Sequence, residues 1–287
     1  EGFRVSFGGS ALGLPGLRSL TMRFALILAV LAAPAFGQDR TPSHCIALAQ
    51  GEPSVMPASL SDGLEPDTVL IRYLDHASFA IVAADGSIAV TDYTGYLGTQ
   101  DIVPDVVTMN NAHDTHWTST PDPRIAHVLK GWGEGAAPAR HWLDLGTMLV
   151  RNVTTDIRGP FGEGARKDGN SIFIFEVAGL CIGHLGHLHQ IPTLEQYAAI
   201  GRLDVVMVPV DGGYTMRLED MAGVVRHFRS SVVIPMHWFS AASLRRFLDE
   251  MAPDFAVVET GGAQIVLSNH DLPAEPTILV LEPEFID

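Results

Sequence analysis

The stretch VVTMNNAHDTHW, residues 106–117, joins a short apolar run to a polar loop that carries two histidines. The run 106–109 predicts the end of a buried strand, and His113 and His116 follow it with Asp114 between them. Functional sites in proteins built on sheets gather in the loops that follow strands. The stretch therefore predicts either part of a metal site at a strand end or two polar residues in a surface loop.

Histidines follow two other predicted strands in the same way. The apolar run 180–183 leads into a loop that contains His184, His187 and His189, and the run VVIPMH ends at His237. The neutral imidazole nitrogen is the commonest side-chain ligand for metal ions in proteins. Because three separate strands each finish in a histidine-bearing loop, we expect these loops to meet around a metal ion.

The apolar pattern indicates a chain that is rich in strands throughout and gains helices in its second half. Strands are predicted over residues 69–74, 79–83, 87–91, 103–109, 148–153, 171–177, 180–183, 203–210, 231–237, 264–268 and 277–281. Apolar residues recur at helical spacing around 218–228 and 244–251, whereas residues 117–145 have the composition of loops. Sheets packed face to face with helices outside fit this pattern, so the predicted fold class is α+β or α/β.

The composition excludes some partners and leaves the state of the cysteines open. The 287-residue chain has a formal net charge of -15, which disfavours binding to the phosphate backbone of nucleic acids. Its hydrophobic fraction of 47% is typical of a globular protein. The two cysteines, Cys45 and Cys181, are expected to be free and buried, with a single bridge between them as the alternative.

The N-terminal region has the pattern of a secretory signal peptide. In residues 22–37 a positive charge precedes about a dozen apolar residues, which end in small residues at small-x-small spacing. We expect residues 1–37 to be upstream sequence plus signal peptide, 38–66 a lead-in segment and 67–287 a single domain. The exported protein would be secreted or periplasmic, with no stable membrane span after cleavage. An ordinary N-terminal helix is the alternative.

Four stretches of the sequence carry a family resemblance. They are IRYLDHASFAIVAADGSIAVTDY (71–93), HLGHL (184–188), VPVDGGYTM (208–216) and IPMHW (234–238). Together they resemble the metallo-β-lactamase-fold hydrolases, most closely the lactonase and phosphodiesterase-like branch, over about residues 69–250. This resemblance implies a four-layer αββα sandwich and metal-dependent hydrolysis.

The metal signature of that family, His-x-His-x-Asp-His, aligns with NAHDTH at residues 111–116. His113 and His116 match the signature, whereas Asn111 and Thr115 stand where the family has a histidine and an aspartate. Asn and Thr are poor ligands for zinc, which prefers imidazole, thiolate or carboxylate. The signature is therefore degenerate, and a site for two metal ions is not expected.

Other family positions fall on residues that follow later strands. The resemblance aligns a bridging aspartate with His187 and a late histidine with His237, and His184 is a further candidate ligand. The residues expected to support the metal site are Asp92, Asn111, Thr115 and His76. Because carboxylate ligands of the family are missing, we expect one Zn2+ ion rather than two, although imidazoles also suit iron, nickel and copper.

These features predict an exported metal-dependent hydrolase. A metal-activated water molecule would attack a small-molecule ester, lactone or phosphodiester. Asp114 or Asp156 would orient that water or carry its proton, and Tyr214 and Trp238 would contact the substrate. The alternative is a noncatalytic metal-binding or ligand-binding protein on the same fold.

Overall fold

The structure is a computed structural model, and it describes residues 41–46, 63–133, 137–159 and 164–287. The upstream sequence and signal peptide expected at residues 1–37 lie outside the described residues. All described residues fall within one compact unit, Thr41–Asp287. None of the helices in these ranges is both long enough and apolar enough to span a bilayer.

Strands occupy the first half of the described chain, and strands with helices occupy the second. The strands are β1 (Thr68–Asp75), β2 (Ser78–Ala83), β3 (Ile88–Val90), β4 (Val106–Met109), β5 (His127–Lys130), β6 (Trp142–Asp144), β7 (Met148–Arg158), β8 (Ala165–Val177), β9 (Leu180–His184), β10 (Val205–Pro209), β11 (Val232–Met236), β12 (Ala256–Glu259), β13 (Gln264–Ser268) and β14 (Thr277–Val280). The helices are α1 (Leu194–Ile200), α2 (Leu218–Phe228) and α3 (Ala241–Met251).

The strands form two sheets with a shared core. One sheet has six strands in the order β13-β1-β2-β3-β4-β5, and the other has eight in the order β12-β14-β11-β10-β9-β8-β7-β6. Successive side chains of a strand point to opposite faces of its sheet. Alternate residues of β1 and β2, such as Ile71 and Phe79, therefore join Phe175 and Ile234 of the other sheet in one buried apolar cluster. Burial of this cluster holds the two sheets together.

The helices pack on the eight-stranded sheet. α2 and α3 are amphipathic, and they bury Met221, Val225 and Phe247 in a second apolar cluster with Val206 of β10. In the ranges that the structure describes, loop residues such as Tyr93 cover the outer face of the six-stranded sheet, and no helix does. The fold is the predicted α+β sandwich, with loops in place of one outer helical layer over this part of the chain.

Parallel pairing brings several strand ends to one edge of the sandwich. β9, β10 and β11 are parallel neighbours, with Met207 opposite His184 and Pro209 opposite Met236. The loops that follow these strands therefore start from the same edge of the sheet. β3 and β4 are also parallel, with Val90 opposite Val107, so the loops after these two strands also start side by side.

The apolar pattern of the sequence does not reveal four short elements, which are β5, β6, β12 and α1. β5 and β6 have only four and three residues and lie in the region that was expected to be loop. α1 spans seven residues and begins with a capping box between Thr193 and Gln196. Elements of this length contain too few residues to show a hydrophobic period.

The expectation of two free cysteines is wrong, because Cys45 and Cys181 form a disulfide bond. The segment before Cys45 is anchored at Glu176, whose buried carboxylate accepts hydrogen bonds from Ser43 Oγ and the His44 N–H. These contacts hold the two cysteines together although 136 residues separate them in the sequence. Such long-range contacts cannot be inferred from cysteine spacing.

Candidate metal centre

Imidazole rings from three strand ends meet in one cluster. Nε2 of His116 lies 3.1 Å from Nε2 of His237 and 2.8 Å from Nδ1 of His187. The rings of His187 and His237 are also adjacent, with centroids 5.1 Å apart. All three side chains are buried. The loops after β4, β9 and β11 therefore meet at a single point.

A buried carboxylate lies behind each of two facing histidines. Asp92 Oδ2 is 2.5 Å from Nδ1 of His116, and Asp211 Oδ2 is 2.9 Å from Nδ1 of His237. Neither carboxylate side chain is exposed, and neither has a lysine or arginine partner among the described residues. With the Nδ1–H of His116 directed at Asp92, Nε2 of that ring presents its lone pair towards Nε2 of His237. A cation between them would stabilise this arrangement.

The sequence motifs do not single out Asp211, which organises the loop after β10. Its Oδ1 accepts hydrogen bonds from the backbone N–H groups of Gly213, Tyr214 and Thr215. Burial raises the pKa of Asp211, but the contact with His237 and these donors outweigh burial and hold the pKa well below its usual value. Only its position in the sequence could have indicated a role for Asp211, since this residue follows a buried strand at the same edge of the sheet as the histidines.

Three residues of the site have a left-handed backbone without being glycine. The φ angles are +39° at His76, +42° at Asp92 and +58° at His237. Hydrogen bonds hold this strained geometry, because the His237 N–H donates to His76 O at 2.7 Å and the Asn110 N–H donates to Asp92 Oδ1 at 2.9 Å. Backbone strain of this kind clusters at functional sites.

Burial lowers the pKa of several imidazoles in and around the cluster and so favours their neutral form. It lowers the pKa of His116 and of His187 far below the usual value, and neighbouring imidazoles lower both further. Mainly through burial, the pKa of His76 falls to about 3 and that of His189 to about 4. Burial also raises the pKa of Asp92 to about 7, so a nearby cation would stabilise its ionised form. Neutral imidazole is the state that binds metal ions.

His76 belongs to the histidine cluster itself, although the sequence predicts only a supporting role for it. One ring nitrogen from each of His76, His116 and His237 lies within 4.8 Å of the other two. Nε2 of His76 is buried and has no hydrogen-bond partner among the residues that the structure describes. The structure therefore offers Nε2 of His76 as a further possible metal ligand, whereas the sequence motifs predict only a supporting role for this residue.

The clustered residues fit a single transition-metal ion. Two nitrogens bound to one tetrahedral Zn2+ at about 2.0–2.1 Å lie roughly 3.3 Å apart. Nε2 of His116 lies at similar distances from Nε2 of His237, 3.1 Å, and from Nδ1 of His187, 2.8 Å. A positive ion would also offset negative charge on Asp92 and Asp211, neither of which has a lysine or arginine partner among the described residues.

Comparison with known proteins assigns the family. A family model described as the beta-lactamase superfamily domain matches residues 70–237. The chain belongs to the β-lactamase superfamily. A UPF0173 metal-dependent hydrolase of Symbiobacterium thermophilum is 28% identical over 221 residues, which cover 69% of this chain and 95% of that protein. Another, of Methanoculleus marisnigri, is 24% identical over 200 residues, which cover 63% of this chain and 85% of that protein.

Solved structures share the fold. A metallo-β-lactamase superfamily protein of Thermotoga maritima aligns with a TM-score of 0.54 and 24% identity, covering 75% of this chain and all of that one (100%). A metallo hydrolase of Ignicoccus hospitalis aligns with a TM-score of 0.51 and 16% identity, covering 70% of this chain and 99% of that one. The metallo-β-lactamase fold implied by the resemblance is therefore confirmed.

In this member of the superfamily, the signature loop places its residues at different depths. His113 is exposed, with its ring 5.4 Å from that of His187 and its Nδ1 3.3 Å from Thr115 Oγ1. Asn111 is buried, and its Oδ1 accepts a hydrogen bond from the Arg166 guanidinium at 3.0 Å. Within the signature, His113 therefore lies at the exposed rim of the cluster. Asn111, at the first signature position, binds the guanidinium of Arg166.

Three candidate residues have surroundings that differ from those of the cluster. His184 uses both ring nitrogens in hydrogen bonds, because Nε2–H donates to Ala77 O and Nδ1 accepts a backbone N–H. It therefore has no lone pair free for a metal ion. Asp156 accepts a hydrogen bond from the Asp168 N–H within the β7–β8 hairpin, and Asp114 is exposed.

The aromatic residues near the cluster differ in exposure. Trp238 packs against Tyr73, with ring centroids 5.5 Å apart, so its half-buried ring lies against the core. Tyr214 is 70% exposed and lies against Phe239, which is 62% exposed, at a centroid distance of 5.1 Å. Phe239 also contacts His76, at 5.0 Å. Two aromatic side chains therefore flank the cluster, and the sequence motifs indicate only Tyr214 of the pair.

Asp92→Asn should weaken Zn2+ binding by about 10- to 100-fold, because an amide has no negative charge to hold the Nδ1–H of His116. Affinity would be measured by competition with a chromophoric chelator, on protein whose fold is checked by circular dichroism. Asp114→Asn, in the exposed loop, is the matched control and should bind like the unmodified protein. Unchanged affinity in Asp92→Asn would show that this carboxylate does not support the metal.

Proposed function

We propose that this protein is a metal-dependent hydrolase of small-molecule esters, lactones or phosphodiesters. The convergence of His116, His187 and His237 in front of two buried carboxylates is the observation that carries the proposal. The cluster is bordered by exposed His113, and catalytic metal sites keep one position open for water or substrate. The metal-dependent hydrolases among the relatives support the same activity.

One Zn2+ ion is the metal that we assign to this site. His116, His187 and His237 would hold it, and zinc suits such imidazole nitrogens. The guanidinium of Arg166 beside Asn111 adds a positive charge that opposes a second cation. When bound, the ion supplies a water molecule of lowered pKa and polarises the scissile carbonyl or phosphoryl group.

Carboxylates of the chain orient the ligands and carry protons. Asp92 accepts the Nδ1–H of His116, so that the Nε2 lone pair of this ring faces inward, and Asp211 lies 2.9 Å from Nδ1 of His237. Asp114, exposed in the loop that precedes His116, is assigned the transfer of a proton between the site and solvent.

The aromatic pair is assigned to substrate contact. The backbone of Tyr214 is held from both sides, because its N–H donates to Asp211 Oδ1 at 2.6 Å and its carbonyl accepts from Arg158 at 2.6 Å. The exposed ring is therefore carried on a fixed backbone. Together with Phe239, it offers an apolar surface to a substrate positioned over the histidines.

Chelation should lower the turnover of phenyl acetate, γ-butyrolactone or bis(4-nitrophenyl) phosphate by about 100-fold or more, and added Zn2+ should restore it. His116→Ala should stay inactive after Zn2+ is added, because the central nitrogen is missing. His227→Ala, at an exposed position of α2, is the control and should be restored.

Elemental analysis of the same samples separates the outcomes. Bound metal without turnover of any substrate class would favour the noncatalytic metal-binding alternative. Turnover that resists chelation would contradict metal dependence.

We also propose export to the periplasm or the medium. Two features support it, the signal-like pattern of residues 22–37 and the Cys45–Cys181 disulfide, since such bonds persist in oxidising compartments. Mass spectrometry of protein alkylated before lysis should find a chain that starts near Gln38 without alkylated cysteine. A chain that retains residues 22–37 and carries two alkylated thiols would contradict export.

A further inference from the structure

Hydrogen bonds fix the proton of His189 on one ring nitrogen. Its Nδ1 accepts the backbone N–H of Arg158 at 2.9 Å and the Nε–H of the same residue at 3.3 Å. A ring nitrogen that accepts N–H donors does not itself carry a proton, so the proton of the imidazole lies on Nε2. The nearer donor is the backbone N–H of Arg158, so a substitution of the Arg158 side chain would leave this hydrogen bond in place.

The Nε2–H group of His189 lacks an acceptor. Nε2 is buried and has no hydrogen-bond partner in the described part of the chain. Buried polar groups are nearly always hydrogen-bonded, because an unpaired donor destabilises the folded state. The ring lies beside the metal cluster, with its centroid 4.8 Å from that of His187. A substrate oxygen that entered the site would provide the missing acceptor.

Arg158 holds this donor in position. Besides its contacts with His189, the guanidinium donates to the carbonyl oxygens of Gly213, Tyr214 and Thr215, at 2.6, 2.6 and 2.8 Å. It therefore ties the His189 ring to the loop after β10. A donor that is fixed before the reaction stabilises developing negative charge without the cost of reorientation.

We propose that His189 is a catalytic residue whose Nε2–H donates a hydrogen bond to the substrate oxygen on which negative charge develops. That oxygen is the carbonyl oxygen of an ester or lactone, or a phosphoryl oxygen. The imidazole keeps its proton throughout, and His189 is not a metal ligand because its Nδ1 lone pair is already occupied. This inference rests on the proposed hydrolase function.

His189→Ala should lower kcat for phenyl acetate by about 100- to 1,000-fold, the usual effect of removing one such donor. KM should change by less than about threefold, since the donor acts on charge that develops in the transition state. His189→Gln, which keeps a side-chain N–H, should recover about tenfold of the loss. His227→Ala is again the control, and zinc affinity should be the same in all variants.

Binding of methylphosphonate, a tetrahedral anion, tests the donor without turnover. His189→Ala should weaken this binding by about tenfold in calorimetric titrations of the zinc-loaded protein, and His227→Ala should not. If the unmodified protein hydrolyses none of the three substrates, the proposed function fails, and phosphonate binding still decides the role of His189.

Equal kcat and equal phosphonate affinity in His189→Ala and the unmodified protein would overturn the inference. Loss of zinc from His189→Ala would also overturn it, because His189 would then be a ligand. If the unmodified protein did not bind methylphosphonate, the inference would also be overturned, because the proposed donor would then bind no tetrahedral anion.

Discussion

Two buried carboxylates, each behind one of two facing imidazoles, impose the constraint on which the rest of the site depends. Asp92 and Asp211 are shielded from solvent, and no lysine or arginine of the described chain pairs with either. A buried charge is costly unless it is compensated. The adjacent His116 and His237 face each other, with their Nε2 atoms 3.1 Å apart. A cation at this point satisfies both the carboxylates and the lone pairs.

The fold meets this constraint by joining strand ends from both sheets. Asp92 and His116 follow β3 and β4 of the six-stranded sheet, whereas His187, Asp211 and His237 follow β9, β10 and β11 of the eight-stranded sheet. The site is therefore built across the sandwich, and the apolar core between the sheets sets the distance between its two halves. Close packing of that core resists displacement of either half.

Sequence reasoning located the histidine-bearing loops because apolar runs mark where the strands end. It could not separate the roles of neighbouring histidines, since His184, His187 and His189 share one local pattern in GHLGHLHQ. Their hydrogen-bond partners decide those roles, and the partners lie far away in the chain. The Ala77 carbonyl binds the ring of His184, whereas Arg158 occupies Nδ1 of His189.

The same limit applies to the fold. Long strands and the amphipathic helices α2 and α3 have a clear hydrophobic period, and their positions follow from the sequence. The Cys45–Cys181 bond and the buried contact of Asp211 with His237 depend on segments that meet only after folding. Asn111 departs from the family signature in a way that the sequence shows, but its pairing with Arg166 becomes visible only in three dimensions.

Anomalous X-ray diffraction at the zinc absorption edge, on crystals grown with Zn2+, tests the central claim most directly. The account predicts one peak within about 2.2 Å of Nε2 of both His116 and His237. The absence of a peak between these rings, or two peaks of equal height within the cluster, would contradict it.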